Sequence, residues 1–290
     1  VLASTWSNLE VIAVNDGSTD GSGRILDSYT NRGVVVVHQE NKGQCAAANR
    51  AFAVCQGDYI KFFDSDDLLS PEMIELQMTR LNGSTTAVAS AEWGRFYGDD
   101  IGTFRLNPQA VWRDLGALDW LVESWMDARP MMQAALWLIP RPVLERSGLW
   151  DEGLSLINDF EFFARVLCNA SDVRFTPGAP LYYRSGLQNS LSGRKDREAV
   201  ESAFNSLMAG TSHVLALRSD AAAHRACANV LQDFIYTYYP EHRDLMAKIS
   251  RRVHELGGAD LAPSGPPRFE QLRRVVGWKI ARRIQRLAGR

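Results

Sequence analysis

Tyr59-Ile60-Lys61-Phe62-Phe63-Asp64-Ser65-Asp66-Asp67-Leu68-Leu69-Ser70-Pro71 is an apolar run that stops abruptly at three carboxylates. Three like charges at the mouth of an apolar strand repel one another and are partly desolvated. A hard divalent cation such as Mg2+ or Mn2+ relieves that, taking one or two carboxylates from protein and the rest of its shell from water and phosphate oxygens. The competing reading is a solvated turn whose aspartates cap the following helix. Ser70-Pro71-Glu72, however, offers that helix a hydroxyl cap, a proline at its first position and an early acid, so Asp64, Asp66 and Asp67 are not needed as caps. An isolated D-x-D triplet is weak evidence; its place at a strand end gives it weight.

Outward from this run, strand and helix signals alternate through the first third of the chain. A buried strand is predicted at residues 9–14 and further strands at 34–38 and 59–63, with helices at 21–31, 44–56 and 71–81. That alternation predicts an α/β protein with a mostly parallel sheet flanked by helices. Between residues 87 and 142 the pattern is mixed, with strands expected at 87–91, 104–106 and 135–139 and a helix at 118–126. A helix at 159–169 and a strand at 173–183 follow. Buried packing is the expected role of most tryptophans in this region, Trp93, Trp125 and Trp137 among them.

After Gly193 the signal turns helical, over 197–217 and 220–239, until Pro240 interrupts it. Ala262-Pro263-Ser264-Gly265-Pro266-Pro267 reads as a linker that neither continues a helix nor pairs in a sheet. Beyond it Phe269, Leu272, Val276, Ile280, Ile284 and Leu287 recur at helical spacing. The expected organisation is an α/β domain over 1–193, a helical extension over 194–261, a linker over 262–267 and a basic amphipathic helix over 268–290.

A 290-residue chain with 46% hydrophobic residues can bury a sizeable core. Cys45, Cys55, Cys168 and Cys227 are scattered and form no C-x-x-C pair, which argues against a zinc site or a disulfide framework and for a reducing, cytoplasmic setting. No apolar run is long enough to span a membrane, and no signal-peptide pattern opens the chain. The net charge of −2 hides an asymmetry: residues 268–290 hold eight basic residues against one acid, and the remainder of the chain is acidic. That basic tail suits either an anionic membrane, peripherally at its inner face, or an ordinary solvated helix on the body. Nucleic acid is not an expected partner, because no recognised binding module accompanies the arginines.

Two further acidic segments stand out. Val11-Ile12-Ala13-Val14-Asn15-Asp16-Gly17-Ser18-Thr19-Asp20 is a strand ending in an acid and opening into a helix. Ligands of open α/β sheets bind beyond the carboxyl ends of strands, so Asp16 and Asp64 to Asp67 could share a crevice; a plain Asp-Gly turn explains the local geometry equally well. Trp150-Asp151-Glu152-Gly153 leads to Asn158-Asp159-Phe160-Glu161-Phe162-Phe163. Asp159 is either a helix cap or a general base whose pKa is raised by its aromatic neighbours.

In this order and spacing, these segments resemble the inverting glycosyltransferases of family 2, which have the GT-A fold. The resemblance covers about the first 190 residues. Val14 to Asp20 matches V-D-D-G-S-x-D, and Asn41-Lys42-Gly43-Gln44-Cys45-Ala46-Ala47-Ala48-Asn49-Arg50-Ala51 partly matches N-x-G-x-x-x-A-R-N-x-G. Gly57 to Asp67 matches G-x-Y-I-x-F-L-D-x-D-D, and Trp150-Asp151-Glu152 with Asn158-Asp159 matches F-D-E followed by E-D.

The resemblance implies transfer of a hexosyl group from a nucleotide-sugar, most simply a UDP-sugar, to a hydroxyl of a saccharide or lipid-linked acceptor, with inversion. It implies bound Mg2+ or Mn2+ and a place in cell-envelope or extracellular polysaccharide or glycolipid synthesis. Asp16, Asp64 and Ser65 would contact the nucleotide-sugar, Asp66 the metal, and Asp159 the attacking hydroxyl. Asp67 and Arg184 are further candidates for metal or donor contact, and Asn189-Ser190-Leu191-Ser192 for a loop closing over the diphosphate.

Asn15, Ala48 and Asn158 depart from the family pattern, which leaves a catalytically silent sugar-nucleotide-binding or scaffold protein as the alternative; the presence of Asp159 favours the enzyme. A nucleotidyltransferase is a third reading, against which stands the lack of a visible phosphate loop. The family's opening strand, of the form V-S-V-I-I-P-x-Y-N, has no counterpart before Val1. It would lie between the strands ending at Asp16 and Asp64, and the expectation is that about 30 to 40 residues precede the chain, enough for a strand and a helix.

Overall fold

The computed structural model describes residues 1–187 and 193–288. In chain order the elements are β1 (Val11–Asp16), α1 (Ser22–Asp27), β2 (Val34–Gln39), α2 (Gln44–Val54), β3 (Tyr59–Ile60), β4 (Leu68–Leu69), α3 (Met73–Leu81), β5 (Val88–Tyr97) and β6 (Asp100–Leu106). They continue with β7 (Leu115–Gly116), α4 (Ala117–Trp125), β8 (Ile139–Pro140), α5 (Arg141–Ser147), α6 (Asn158–Cys168) and β9 (Asp172–Ser185). Four helices close the chain: α7 (Arg197–Leu217), α8 (Ala221–Tyr238), α9 (Arg243–Glu255) and α10 (Pro267–Ala288). They form two compact units, residues 1–121 with 132–213, and residues 122–131 with 214–290. The first unit therefore extends past Gly193 as far as His213, and the second draws in a segment from the middle of the chain.

The first unit is mixed α/β. Its two long ladders, β1 with β2 and β5 with β9, are parallel. Shorter antiparallel pairings join β3 to β8, β4 and β7 to β9, and β6 to β5. Gly94 allows the β5–β6 approach, since a Cβ there would lie 2.3 Å from the Arg105 carbonyl oxygen.

β1 departs from the buried strand the sequence suggests, because all six of its residues are only half-buried. Among the described residues β1 pairs only with β2, and β3 only with β8, so each leaves one edge without a strand partner. The run expected as a strand over 59–63 is laddered only at Tyr59 and Ile60.

Packing beneath the acidic segments is aromatic. Trp150 stacks on Phe162 at 3.8 Å between centroids, Phe62 meets both edge-on, and Trp137 stacks on Phe163. Phe162 and Phe163 of α6 are fully buried, and each side chain of this size contributes about 1.5–3 kcal/mol on burial. Trp93, Trp125 and Trp137 are buried, in keeping with a packing role.

Some local expectations are corrected. α3 begins at Met73 with Glu72 at its cap position and no side-chain capping bond; the buried Ser70 hydroxyl has no hydrogen-bond partner among the described residues. The proline holds the chain in a turn before the helix rather than at its first residue. α5 and α9 are helices that the sequence reading did not place. His38 bridges Asn15 (3.0 Å) and Asp27 (2.9 Å), and His213 meets Glu161 at 3.1 Å.

In the second unit α8 packs against α9, and Cys227, Leu231 and Phe234 of one and Leu245, Ile249 and Val253 of the other are buried. The four cysteines are free thiols. Among the described residues no helix is long and apolar enough to cross a membrane.

Candidate functional site

The three acidic segments meet at the N-terminus of α2. Asp16, at the end of β1, accepts from the backbone N–H of Lys42 and of Gly43, both at 2.8 Å, and from Gln39 Nε2 at 2.7 Å. Gly17 makes this approach possible: its φ is +71°, and a Cβ would sit 2.6 Å from Asn41 N. The next side chain, Gln44, reaches two ways. Its Nε2 donates to Asp64 Oδ1 at 2.8 Å, and its Oε1 lies 3.5 Å from Asn158 Nδ2. Further along α2, Asn49 ties down the Trp150–Glu152 segment through the Trp150 backbone and the Glu152 carboxylate.

The Asp64–Asp67 turn is gripped from a second side by Gln133. Its Nε2 donates to Asp64 Oδ2 at 3.1 Å and to Asp67 Oδ2 at 2.7 Å, while its Oε1 accepts from Ala135 N at 2.7 Å. Lys61 braces the same segment, donating to the carbonyls of Ala135 (2.5 Å) and Trp137 (3.2 Å). Desolvation pulls the Lys61 ammonium down to about 7.

Arg184 holds the turn from β9. Its backbone N–H donates to Asp67 Oδ1 at 2.8 Å, its Nε donates to the Asp66 carbonyl at 2.6 Å, and its guanidinium pairs with Asp99 and lies over Phe96. Asp67 is thus 3% exposed. Burial pushes its carboxyl up to about 7 against the Arg184 amide. Burial, and then the neighbouring Asp66 charge, also raise Asp64.

Asp66 and Ser65 differ, being exposed. The Asp66 carboxylate has no hydrogen bond among the described residues and lines a cavity of about 230 Å3 with Arg95, Tyr183 and Arg184. Arg95 lies over the rings of Trp93 and Tyr183 and donates to Ser185 Oγ at 2.8 Å. Among the described residues no group of three or more His, Cys, Asp or Glu side chains is arranged to hold a metal ion.

Asp159 lies in the first turn of α6 and is not its cap; that position belongs to Ile157, at φ +58°. A β-branched residue in the left-handed region is strained. Ser206 of α7 holds it there, donating to the Ile157 carbonyl at 2.5 Å and accepting from Glu161 N at 3.1 Å. Burial, and next the charge of Asp64, push the Asp159 carboxyl up to about 6. Two residues on, Glu161 goes the opposite way. Burial would raise it, but hydrogen bonds from Arg165 and His213 hold it at about 2.

The structure therefore brings Asp64, Asp66, Asp67, Arg184 and Asp159 into one region, with Asp16 behind it on the α2 loop. The expected loop at Asn189–Ser192 lies outside the described residues. Gln44, Gln133, Lys61 and Arg95 were not singled out from the sequence. Gln44 was the most accessible of them, since it directly follows the glycine of the N-x-G segment.

Residues 1–144 match the model of the family described as Glycosyl transferase family 2. The chain is 35% identical over 204 residues to the glycosyltransferase YibD of Escherichia coli, covering 68% of this chain and 58% of that protein. It is 28% identical over 230 residues to the succinoglycan biosynthesis protein ExoU of Rhizobium meliloti, covering 74% and 64%. The chain thus spans less than two thirds of the length of these curated relatives. Among solved structures, S. aureus TarS 1-349 in complex with UDP-GlcNAc superimposes with a TM-score of 0.70 at 15% identity, covering 88% of this chain and 75% of that one. The matching family model, these relatives and the shared mixed α/β architecture agree: the chain belongs to glycosyltransferase family 2 and has the GT-A fold.

Proposed function

We propose that this protein transfers a sugar from a nucleotide-sugar, a UDP-sugar in the simplest case, to an acceptor hydroxyl with inversion at the anomeric carbon. The observation that carries this reading is Asp159: a carboxyl held at about 6 by burial and by Asp64, beside the strand-end acids. A base with that pKa is largely ionised near neutral pH yet basic enough to take a proton from an attacking hydroxyl. Attack from the face opposite the leaving group in one displacement inverts the centre.

The residues at the Asp66 turn fit a divalent cation held mainly by substrate. Both Asp64 oxygens and both Asp67 oxygens already accept hydrogen bonds, whereas the Asp66 carboxylate is exposed and has no donor among the described residues. One protein carboxylate is a normal share for Mg2+ or Mn2+ when phosphate oxygens and water complete the shell. Such an ion, when bound, stabilises the charge that develops on a departing diphosphate. Arg95 and Arg184 add positive charge to the same cavity.

Gln44 and Gln133 fix the turn, so Asp66 is presented without rearrangement. Asp16 shapes the loop at the start of α2 with the contacts described, and nucleotide contact from it would be shared with that task. Ser65, exposed beside Asp66, is open to the donor. The TarS complex with UDP-GlcNAc supports a UDP-sugar donor, and the ExoU relative supports a place in polysaccharide biosynthesis.

Calorimetric titration of UDP and of GDP, each with and without Mn2+, tests the donor site, with Asp66→Ala as control. Metal-dependent binding of one nucleotide that disappears in the variant is the expected result. Absence of binding of either nucleotide to protein that is demonstrably folded would overturn the proposed donor class.

A further inference from the structure

α10 carries an exposed apolar stripe that the donor-site reading does not use. Gly277, at φ +77° and ψ +157°, breaks its helical geometry, so residues 278–288 form a segment of their own. One side of that segment packs on the rest of the second unit: Ala281 is fully buried, Trp278 packs edge-on against Tyr236 and Tyr239, and Arg286 donates to the Thr237 carbonyl at 2.6 Å. At 3.6 residues per turn, Ile280, Ile284 and Leu287 lie together on the outward side. They are 51%, 42% and 73% exposed. Across the break, Val275 is 84% exposed. Lys279 and Arg283, both exposed, border the stripe.

We propose that this outward face of α10 seats on an anionic lipid bilayer, the aliphatic stripe entering the headgroup boundary and the basic side chains meeting lipid phosphates. Charge selects this occupant. Residues 268–288 hold seven basic residues and one acid, and that acid, Glu270, is already paired with Arg273 at 2.6 Å. A second copy of the helix would bring two strongly basic flanks together. Nucleic acid would satisfy the charge but leave Ile280, Ile284 and Leu287 without an apolar partner. An anionic bilayer satisfies both, since it offers phosphates at the depth of the basic side chains and hydrocarbon beneath. Each basic residue near such a surface strengthens binding about fivefold, and the attraction weakens with salt.

The test is flotation of the full chain with vesicles of phosphatidylcholine alone and with about a third phosphatidylglycerol. Wild type should bind the anionic vesicles, bind the neutral ones weakly, and release as salt rises. The triple variant Ile280→Ser, Ile284→Ser, Leu287→Ser and, separately, the double variant Lys279→Glu, Arg283→Glu should each lose binding about tenfold or more. All five side chains are exposed, and the two cations give up only ring contacts with Trp278 and Tyr239, so thermal unfolding should stay close to wild type and exclude misfolding as the cause. Failure of folded wild type to float, or unchanged binding of either variant, would overturn the proposal. So would a wild-type dimer that the triple serine variant dissolves, or DNA binding without vesicle binding. None of these readouts depends on sugar transfer, so this inference and the donor reading can fail separately.

Discussion

Gln133→Leu is the sharpest probe of how the site is held. The side chain is 6% exposed, and its amide makes three contacts: it donates to Asp64 and Asp67 and accepts from Ala135 N. Leucine has similar bulk, so packing is nearly conserved and polar loss dominates. A hydrogen bond to a charged carboxylate is worth about 1.5–3 kcal/mol and a neutral one about 1 kcal/mol. The 3.1 Å bond to Asp64 counts at the low end, and Asp67, whose carboxyl is pushed up to about 7, counts between neutral and charged at about 1–2 kcal/mol, which gives a total loss of about 3.5–4.5 kcal/mol near pH 7. Asp67, at 3% exposure, cannot recover the lost donor from water without opening the turn. Urea denaturation of wild type and variant at equal pH reads this difference from the shift in midpoint. A second variant separates the amide's chemistry from its shape: Gln133→Glu alone sets a third acid against Asp64 and Asp67 and should be worse than leucine. Combined with Asp67→Asn, which returns an N–H to the contact, it should regain part of the loss. A leucine variant within about 1 kcal/mol of wild type, or a double variant no better than Gln133→Glu, would refute the bridging role.

Two further outcomes follow from the geometry. Because burial and Asp64 raise Asp159 to about 6, the proposed base becomes protonated as pH falls through that value. Transfer rates at saturating substrate should therefore fall about tenfold per pH unit below 6, while Asp159→Asn should lose about a hundredfold or more at neutral pH; a wild-type rate flat from pH 5 to 7 would contradict the assignment. Gly17→Ala places a Cβ 2.6 Å from Asn41 N at a positive φ, so it should cost about 1–3 kcal/mol. It should also loosen the Asp16 contacts with Lys42 and Gly43, seen as faster amide hydrogen exchange at those two residues; unchanged exchange would count against the loop role of Asp16.

What was readable beforehand was whatever a few neighbouring residues settle among themselves. Alternating apolar runs at 34–38 and 44–56 give β2 and α2 because side-chain period and propensity are local properties. The strand-end acids at Asp64, Asp66 and Asp67 and the acid at Asp159 stand out by charge alone. α9 was hidden although Leu245, Met246, Ile249 and Val253 have helical spacing, because Pro240 lies just before it and suggests an end rather than a new start. β1 was expected to be buried because composition reports apolarity and not whether a neighbouring strand is there to cover it.

By itself, then, the sequence determined the family-type order of acidic segments, the α/β class and the basic amphipathic character of residues 268–290. Tertiary structure alone decided how the like charges are divided. Gln133, 69 and 66 positions from Asp64 and Asp67, and Gln44, 20 from Asp64, bind two of the acids in neutral amide contacts and leave Asp66 exposed. It also decided that Asp64 raises Asp159, and that Ile280, Ile284 and Leu287 face outward while Ala281 is covered. The physical reason is the same in each case. Charge and propensity belong to a residue and its near neighbours, whereas desolvation and hydrogen-bond partnership exist only once distant segments have been brought into contact.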